Sequence, residues 1–179
     1  MLNDPYYGCV FCKTGSEQAV AHMLTQKGEG IQALAVSQYK HKSKNGIKTT
    51  EESILLPGYV FFQCDNDELS FSFLYTIQDV IRLLRSPSGD WRITNDDCQF
   101  IKWVFQNKGT ISVSKAYSLG DKVRILSGPL KDLEGNIIRI DRRSRNGMVE
   151  IRIHDKACHV WLAFEMVDVQ ELSSSNCPT

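Results

Sequence analysis

The spacing of apolar residues changes once along this chain, and that change divides it in two. Up to about Asn107, strand-like apolar runs alternate with stripes at helical spacing; beyond it every apolar segment is short and strand-like. Tyr6 to Lys13 reads as a strand. Thr14-Gly15-Ser16-Glu17 reads as a turn into a helix, with Thr14 or Ser16 as N-cap and Ala19, Val20, Met23 and Leu24 as its apolar stripe. Gly28 and Gly30 stop that helix. Ile31 to Lys42 reads as a strand leading to Asn45-Gly46, a hairpin turn. Tyr59 to Cys64 reads as a buried strand that begins after Pro57. A short helix over Glu68 to Ile77, a strand over Val80 to Leu84 and a helix opened by Thr94 complete the first part. Phe100, Ile101, Val104 and Phe105 form the apolar stripe of that last helix. The order predicts an α+β fold, with helices packed on a mostly antiparallel sheet.

Gly109 and three serines between Asn107 and Ser118 read as a linker. Five short strands follow: Lys122–Leu126, Asn136–Asp141, Met148–His154, Cys158–Leu162 and Met166–Val169. Five strands in about 50 residues predict a small β-barrel. The expected organisation is therefore a first domain over 1–107, a linker over 108–118, a barrel over 119–172 and a disordered tail over 173–179.

Charge and cysteines narrow the function. The 179 residues carry 21 basic and 21 acidic side chains, so nucleic-acid binding has to come from a local patch. No apolar run reaches the ~18–20 residues that span a bilayer, and the N-terminus does not read as a secretory signal, so the cytoplasm is the expected compartment. Without an oxidising compartment the six cysteines are expected as thiols. Cys9 and Cys12 have C-x-x-C spacing, but residues three apart on a strand point to opposite faces, which is poor metal geometry. His22, His41, His154 and His159 sit in no nucleophile, metal or phosphate-loop motif. Neither catalysis nor a metal or cofactor is expected.

Three segments carry a family resemblance. Tyr6-Tyr7 through Lys13-Thr14-Gly15-Ser16-Glu17 resembles the start of a NusG N-terminal domain. Leu55-Leu56-Pro57-Gly58-Tyr59-Val60-Phe61 looks like that family's most diagnostic segment, and Ser127-Gly128-Pro129-Leu130-Lys131-Asp132-Leu133-Glu134-Gly135 resembles the opening of a KOW motif. The resemblance covers roughly residues 5 to 170. It implies a transcription elongation or antitermination factor whose first domain docks on the clamp helices of RNA polymerase and suppresses pausing or termination. The second domain would be a KOW barrel that contacts RNA or a protein. Departures from the common pattern are Gly8 in place of a bulky residue, Lys131-Asp132-Leu133 in the barrel loop, and an arginine-rich turn. They resemble the specialised LoaP-type antiterminators of bacterial biosynthetic operons.

The resemblance implies an aromatic groove for a helical tip, with Tyr6, Tyr7, Pro57, Gly58, Tyr59 and Phe61 as polymerase-binding candidates. The same residues also suit a plain core. Lys42, Lys44 and Lys48 on the hairpin are candidates for phosphates of the transcription bubble, or form a solvated loop tip. On the barrel, Arg142, Arg143 and Arg145 lie in one turn, with Arg139 and Arg152 on flanking strands, and Lys122 and Arg124 alternate with Val123 and Ile125. These are the RNA-binding candidates, because arginine pairs with phosphate and stacks on exposed bases. Asp141, Glu150, Asp155 and Glu165 stand nearby to offset them. The expected partners are RNA polymerase, a nascent RNA hairpin, bubble DNA, and a ribosomal protein or termination factor, with no membrane and the chain as a monomer. A KOW-containing, ribosome-associated RNA-binding protein is the competing reading, and the barrel alone fits both.

Overall fold

The computed structural model describes residues 4–44, 47–66, 68–94, 97–120, 122–153 and 156–167. The chain separates into two compact units. One comprises Met1–Ser37, Ile54–Thr110 and Arg152–Cys158, the other Gln38–Ser53, Ile111–Ile151 and His159–Thr179.

The first unit is built on a four-stranded sheet. Its strands are β1 (Tyr6–Cys12), β2 (Ile31–Ala35), β5 (Tyr59–Cys64) and β6 (Val80–Leu83), in the order β2-β5-β1-β6, with all neighbours antiparallel. Val10 and Phe62 alternate with Cys9 and Phe61, as the pleat requires. Val10, Cys12, Val60, Phe62 and Cys64 join one apolar cluster with Val20, Ala21 and Leu24 of helix α1 (Glu17–Lys27) and with Leu74, Ile77 and Trp91. Helix α2 (Asp97–Gln106) contributes Phe105, whose ring lies 5.7 Å from that of Tyr7 on the other face. The outer edge of β2 is closed by α1. The Thr25 hydroxyl accepts the Ala33 N–H at 2.9 Å and donates to Ala21 O at 3.1 Å, so the edge offers no free ladder there.

Gly8 now has a physical reason. It pairs with Phe62, and a Cβ at this position would stand 2.3 Å from the Phe62 ring. That ring is held in turn by stacking on Trp91 at 5.6 Å and by Phe71 at 5.7 Å. A bulky residue at position 8 and a phenylalanine at position 62 exclude each other.

The turn into α1 differs from the expected cap. Ser16 makes no side-chain cap bond; its hydroxyl donates to Asp79 Oδ2 at 2.8 Å instead. Asp79 has φ +66 and its carbonyl accepts the Lys13 N–H at 2.9 Å. Glu17 bonds outside the helix that it opens. Its Oε2 accepts the Gly15 N–H at 2.9 Å, and its Oε1 accepts the Gly58 N–H at 2.7 Å from 41 residues away. The side chain is 2 % exposed. Gly58 belongs to a turn in which Tyr59 N–H donates to Leu56 O at 3.1 Å, with Pro57 second and Gly58 third at φ +84, the signature of a type II turn.

The second unit centres on a five-stranded sheet, in keeping with the small barrel expected. Its strands are β8 (Ser114–Leu119), β9 (Lys122–Ser127), β10 (Ile137–Asp141), β11 (Asn146–Ile153) and β12 (Lys156–Met166), in the order β10-β11-β12-β8-β9. The fifth strand is β8; Met166, expected to open a strand of its own, ends β12, and residues 168 and 169 of that expected strand lie outside the described residues. Ser114 shows why β8 is needed. It is fully buried, and its hydroxyl accepts the Leu130 N–H at 2.9 Å, which ties the KOW opening turn to the sheet. A further sheet joins β3 (Ser37–Lys44), β4 (Ile47–Ile54) and β7 (Thr110–Ile111) in the order β4-β3-β7. The segment expected as one strand over Ile31 to Lys42 is therefore two strands in two sheets, parted at Val36. The helix expected over Glu68 to Ile77 is a single 3₁₀ turn, Ser72–Thr76. The expected Asn45-Gly46 turn and the tail lie outside the described residues.

Two outcomes test this account by urea unfolding of the full chain. Gly8→Leu destabilises by about 2 kcal/mol through overpacking. In the Gly8→Leu, Phe62→Val double variant, about 1 kcal/mol of the summed single costs is recovered, a coupling that additive, unlinked sites would not show. Glu17→Ala strands the buried Gly58 N–H, leaves the Gly15 N–H to water, and costs roughly 2 kcal/mol. Glu17→Gln keeps one acceptor oxygen and falls between. Equal stability of Glu17→Ala and the unmodified chain would refute the bridging role.

Candidate partner-binding surfaces

The Pro57-Gly58 turn sets the direction in which β5 leaves it. Gly58 lies so close to β1 that an added Cβ would meet Phe11 Cε2 at 2.8 Å and Cys12 O at 3.2 Å, so the turn and the strand are in contact without a side chain between them. Gly58 O accepts the Cys12 N–H at 2.8 Å. Tyr59 then pairs with Phe11, their rings edge to face at 5.4 Å. Phe11 in turn is in register with Arg82 of β6. The result is a Phe11–Tyr59 aromatic pair with a cation on the neighbouring strand.

The six polymerase-binding candidates separate by exposure. Pro57 is exposed, and Tyr6 and Tyr59 are half-buried. Phe61 is fully buried and Tyr7 is 6 % exposed beneath Phe105. Gly58 is buried and acts through its backbone. Burial raises the ionisation range of both the Tyr7 and the Tyr59 hydroxyl. In this conformation Tyr59, Pro57 and Tyr6 offer surface, while Phe61 and Tyr7 fill the interior. Phe11 was not singled out from sequence; the signal available was its parity with Cys9 on a strand whose partner register the sequence leaves open.

The C-x-x-C pair is split as strand geometry requires. Cys9 pairs with Phe61, while Cys12 lies in the cluster beneath α1. Burial pushes both thiols up, Cys12 to about 11. Cys9, Cys12, Cys64, Cys98 and Cys158 are free thiols, and Cys177 lies outside the described residues. Among the described residues no three His, Cys, Asp or Glu side chains converge as metal ligands, and no helix is long and apolar enough to cross a membrane.

The arginine turn occupies residues 142–145, starting where the strand expected over Asn136–Asp141 ends and closing two residues before the next expected strand at Met148. Arg145 takes φ +55, and β11 begins at Asn146. Gly147 is not a turn residue: it is buried, and a Cβ there would stand 2.9 Å from Leu130 Cδ2. Asp141 builds the turn. Its Oδ1 accepts the Arg143 N–H at 2.9 Å and the Ser144 N–H at 3.0 Å. The Ser144 bond is the main reason its carboxyl titrates below the usual range. Arg142, Arg143 and Arg145 are all exposed, and Arg142 Nη2 donates to Ser118 Oγ at 3.3 Å. Arg139 and Arg152 are exposed on β10 and β11, and Lys122 and Arg124 on β9. Arg124 pairs with Tyr117 of β8. The side chains of Lys42, Lys44 and Lys48 lie outside the described residues.

Comparison with known proteins finds two family matches in sequence order. Residues 6–102 match the protein family described as "Transcription termination factor nusG", and residues 119–153 match the KOW motif. The "Transcription termination/antitermination protein NusG" of Borreliella burgdorferi is 27% identical over 135 residues, covering 70% of this chain and 73% of that protein. The protein of the same name from Rickettsia typhi is 25% identical over 125 residues, 69% of this chain and 65% of that protein. A solved structure described as "Domain interaction in Thermotoga maritima NusG" has a TM-score of 0.48 at 19% identity, covering 91% of this chain and 96% of that one. The first family match alone spans more than half of the sequence, followed in order by the KOW motif: the chain belongs to the NusG family.

Proposed function

We propose that this chain is a transcription elongation and antitermination factor that binds RNA polymerase through its first 107 residues and suppresses pausing or termination. The observation that carries the reading is the Glu17-held turn that sets Tyr59 edge to face with Phe11. An aromatic pair on a rigid sheet is a surface into which the tip of a helical hairpin packs. Binding that favours the closed, active polymerase would suppress pausing by shifting that equilibrium. The cytoplasm is the compartment this function requires.

We further propose the specialised, LoaP-like role, in which the barrel takes a structured RNA through Arg142, Arg143 and Arg145. Support comes from the turn itself. The one acid within it, Asp141, is spent on two backbone donors, so three exposed arginines project from a turn of fixed shape. Such a turn suits a loop or bulge, where bases are unstacked and phosphates converge.

Two experiments test these readings. Tyr59→Ala in the full chain lowers co-purification with RNA polymerase about tenfold while the unfolding transition remains cooperative. Phe61→Ala is the wrong probe, because truncating a fully buried ring opens a cavity costing about 3–5 kcal/mol. Undiminished polymerase binding by a folded Tyr59→Ala, Phe11→Ala variant would remove the pair from the interface. For the barrel, an RNA hairpin is titrated across a range of salt concentrations. Changing Arg142, Arg143 and Arg145 to Ala makes the slope of log affinity against log salt shallower by about 2, from ~0.7 per phosphate contact. Polymerase binding is retained in that triple variant. An unchanged slope would show the turn makes no phosphate contact.

A further inference from the structure

The outer face of β11 and β12 carries a side chain that the arginine turn does not explain. Trp161 is 37 % exposed on a strand whose neighbours Val160 and Leu162 are buried. A tryptophan held partly in water on a small barrel gives up burial that the fold would otherwise gain.

Its surroundings follow from the strand register. Phe164 N–H donates to Arg145 O at 2.9 Å, and Glu150 Oε2 lies 3.4 Å from His159 Nε2. Both contacts join residues at the same offset between the two strands. Carried along, that offset sets Trp161 opposite Met148, and Met148 is paired with Arg139 of β10. Arg139 is exposed and Met148 half-buried. The row Arg139–Met148–Trp161 thus runs across three strands as cation, soft apolar spacer and open indole. The arginine turn joins the same two strands, β10 and β11, at one end of this row. Glu150, the acid next along β11 on this face, has His159 against it.

We infer that Trp161 is a stacking platform for an unpaired RNA base, and that the Arg139–Met148–Trp161 row is the part of the barrel that tells a looped RNA from a plain duplex. This rests on the reading of the barrel as an RNA-binding surface and adds a specificity-determining residue to it. The exposed arginines 139, 142, 143 and 145 suit a polyanion. An indole beside guanidinium groups on an open β-face suits a base that has left its stack. The arginines alone would give affinity for any phosphate backbone. A flat aromatic face has no use for a base still paired inside an A-form helix, whose rings are covered by their neighbours.

The test uses the full chain and three probes of equal phosphate count: a hairpin with an unpaired loop, a single-stranded RNA and a blunt duplex. Trp161→Ala weakens hairpin and single-strand binding about tenfold or more, the loss of one base–aromatic stack, and leaves duplex binding unchanged. Trp161→Phe, which keeps a ring, retains most of the hairpin affinity but loses the quenching of tryptophan fluorescence that the hairpin produces in the unmodified chain. That optical readout does not depend on the alanine variant folding. Hairpin binding by Trp161→Ala equal to that of the unmodified chain, with binding lost in the Arg142, Arg143, Arg145→Ala variant, overturns the platform and leaves the arginine reading intact. So does hairpin quenching that persists in Trp161→Phe. No binding of any probe by the unmodified chain overturns both.

Discussion

The carboxylate of Glu17 is the constraint on which the first unit turns. Two loops distant in sequence each present a backbone N–H to it, Gly15 at the surface and Gly58 in the interior. One side chain satisfies both, at 2.9 and 2.7 Å. A buried donor without a partner costs about 1–3 kcal/mol, more when its partner carries charge, so neither turn can move without the other. The linkage explains why the strand-turn-helix start and the Leu-Pro-Gly-Tyr segment occur together. They are the two ends of a single hydrogen-bonded bridge. Gly58 is at once its donor and the point where β5 touches β1 without an intervening Cβ. The edge-to-face pairing of Phe11 and Tyr59 depends on that contact.

Much of this was legible in the sequence because it is local. Pro57-Gly58 names its turn type by residue chemistry alone. The stripe through Val20 and Leu24 locates the buried side of α1, and alternation in Tyr59–Phe62 assigns faces to β5. What was not legible is what distant residues impose. Ser16 has the chemistry of an N-cap, yet it donates to Asp79, and the acid that follows it bonds the Gly15 and Gly58 N–H groups outside the helix. Asn146-Gly147 has the chemistry of a hairpin turn, yet Asp141 closes the turn earlier and Gly147 is used for close approach to Leu130. The run Ile31 to Lys42 is uniformly strand-like, so its division at Val36 is invisible without the Gly109 carbonyl that receives the Ser37 N–H.

The candidate sites divide along the same line. Aromatic residues at Tyr7, Tyr59 and Phe61 share one parity on paired strands, so sequence could place them on one face but could not say which remained open. Phe105 decides Tyr7 from a helix about 100 residues away. Arginines in a turn are exposed almost by definition, and that part of the reading needed no tertiary information. Whether nearby acids cancelled them did. Asp141 lies beside the arginines in sequence, but its oxygen is aimed at Arg143 N–H and Ser144 N–H, so it shapes the turn more than it screens the guanidinium groups.

The Gly8–Phe62 pair shows that the same interior volume can be filled from either of two strands. The space between β1 and α1 must be filled at interior density, but packing does not dictate which strand supplies the atoms. Here Phe62 supplies them, braced by Trp91 and Phe71, and position 8 has to be glycine. A chain with a bulky residue at position 8 needs a smaller one at position 62, and either change alone is penalised. A residue that satisfies a buried backbone donor has no such freedom, since a methylene can come from either strand but the Gly58 N–H needs an acceptor at one place. Interior side chains can therefore trade volume in coupled pairs, whereas the buried Gly58 N–H holds the Glu17 carboxylate to one place.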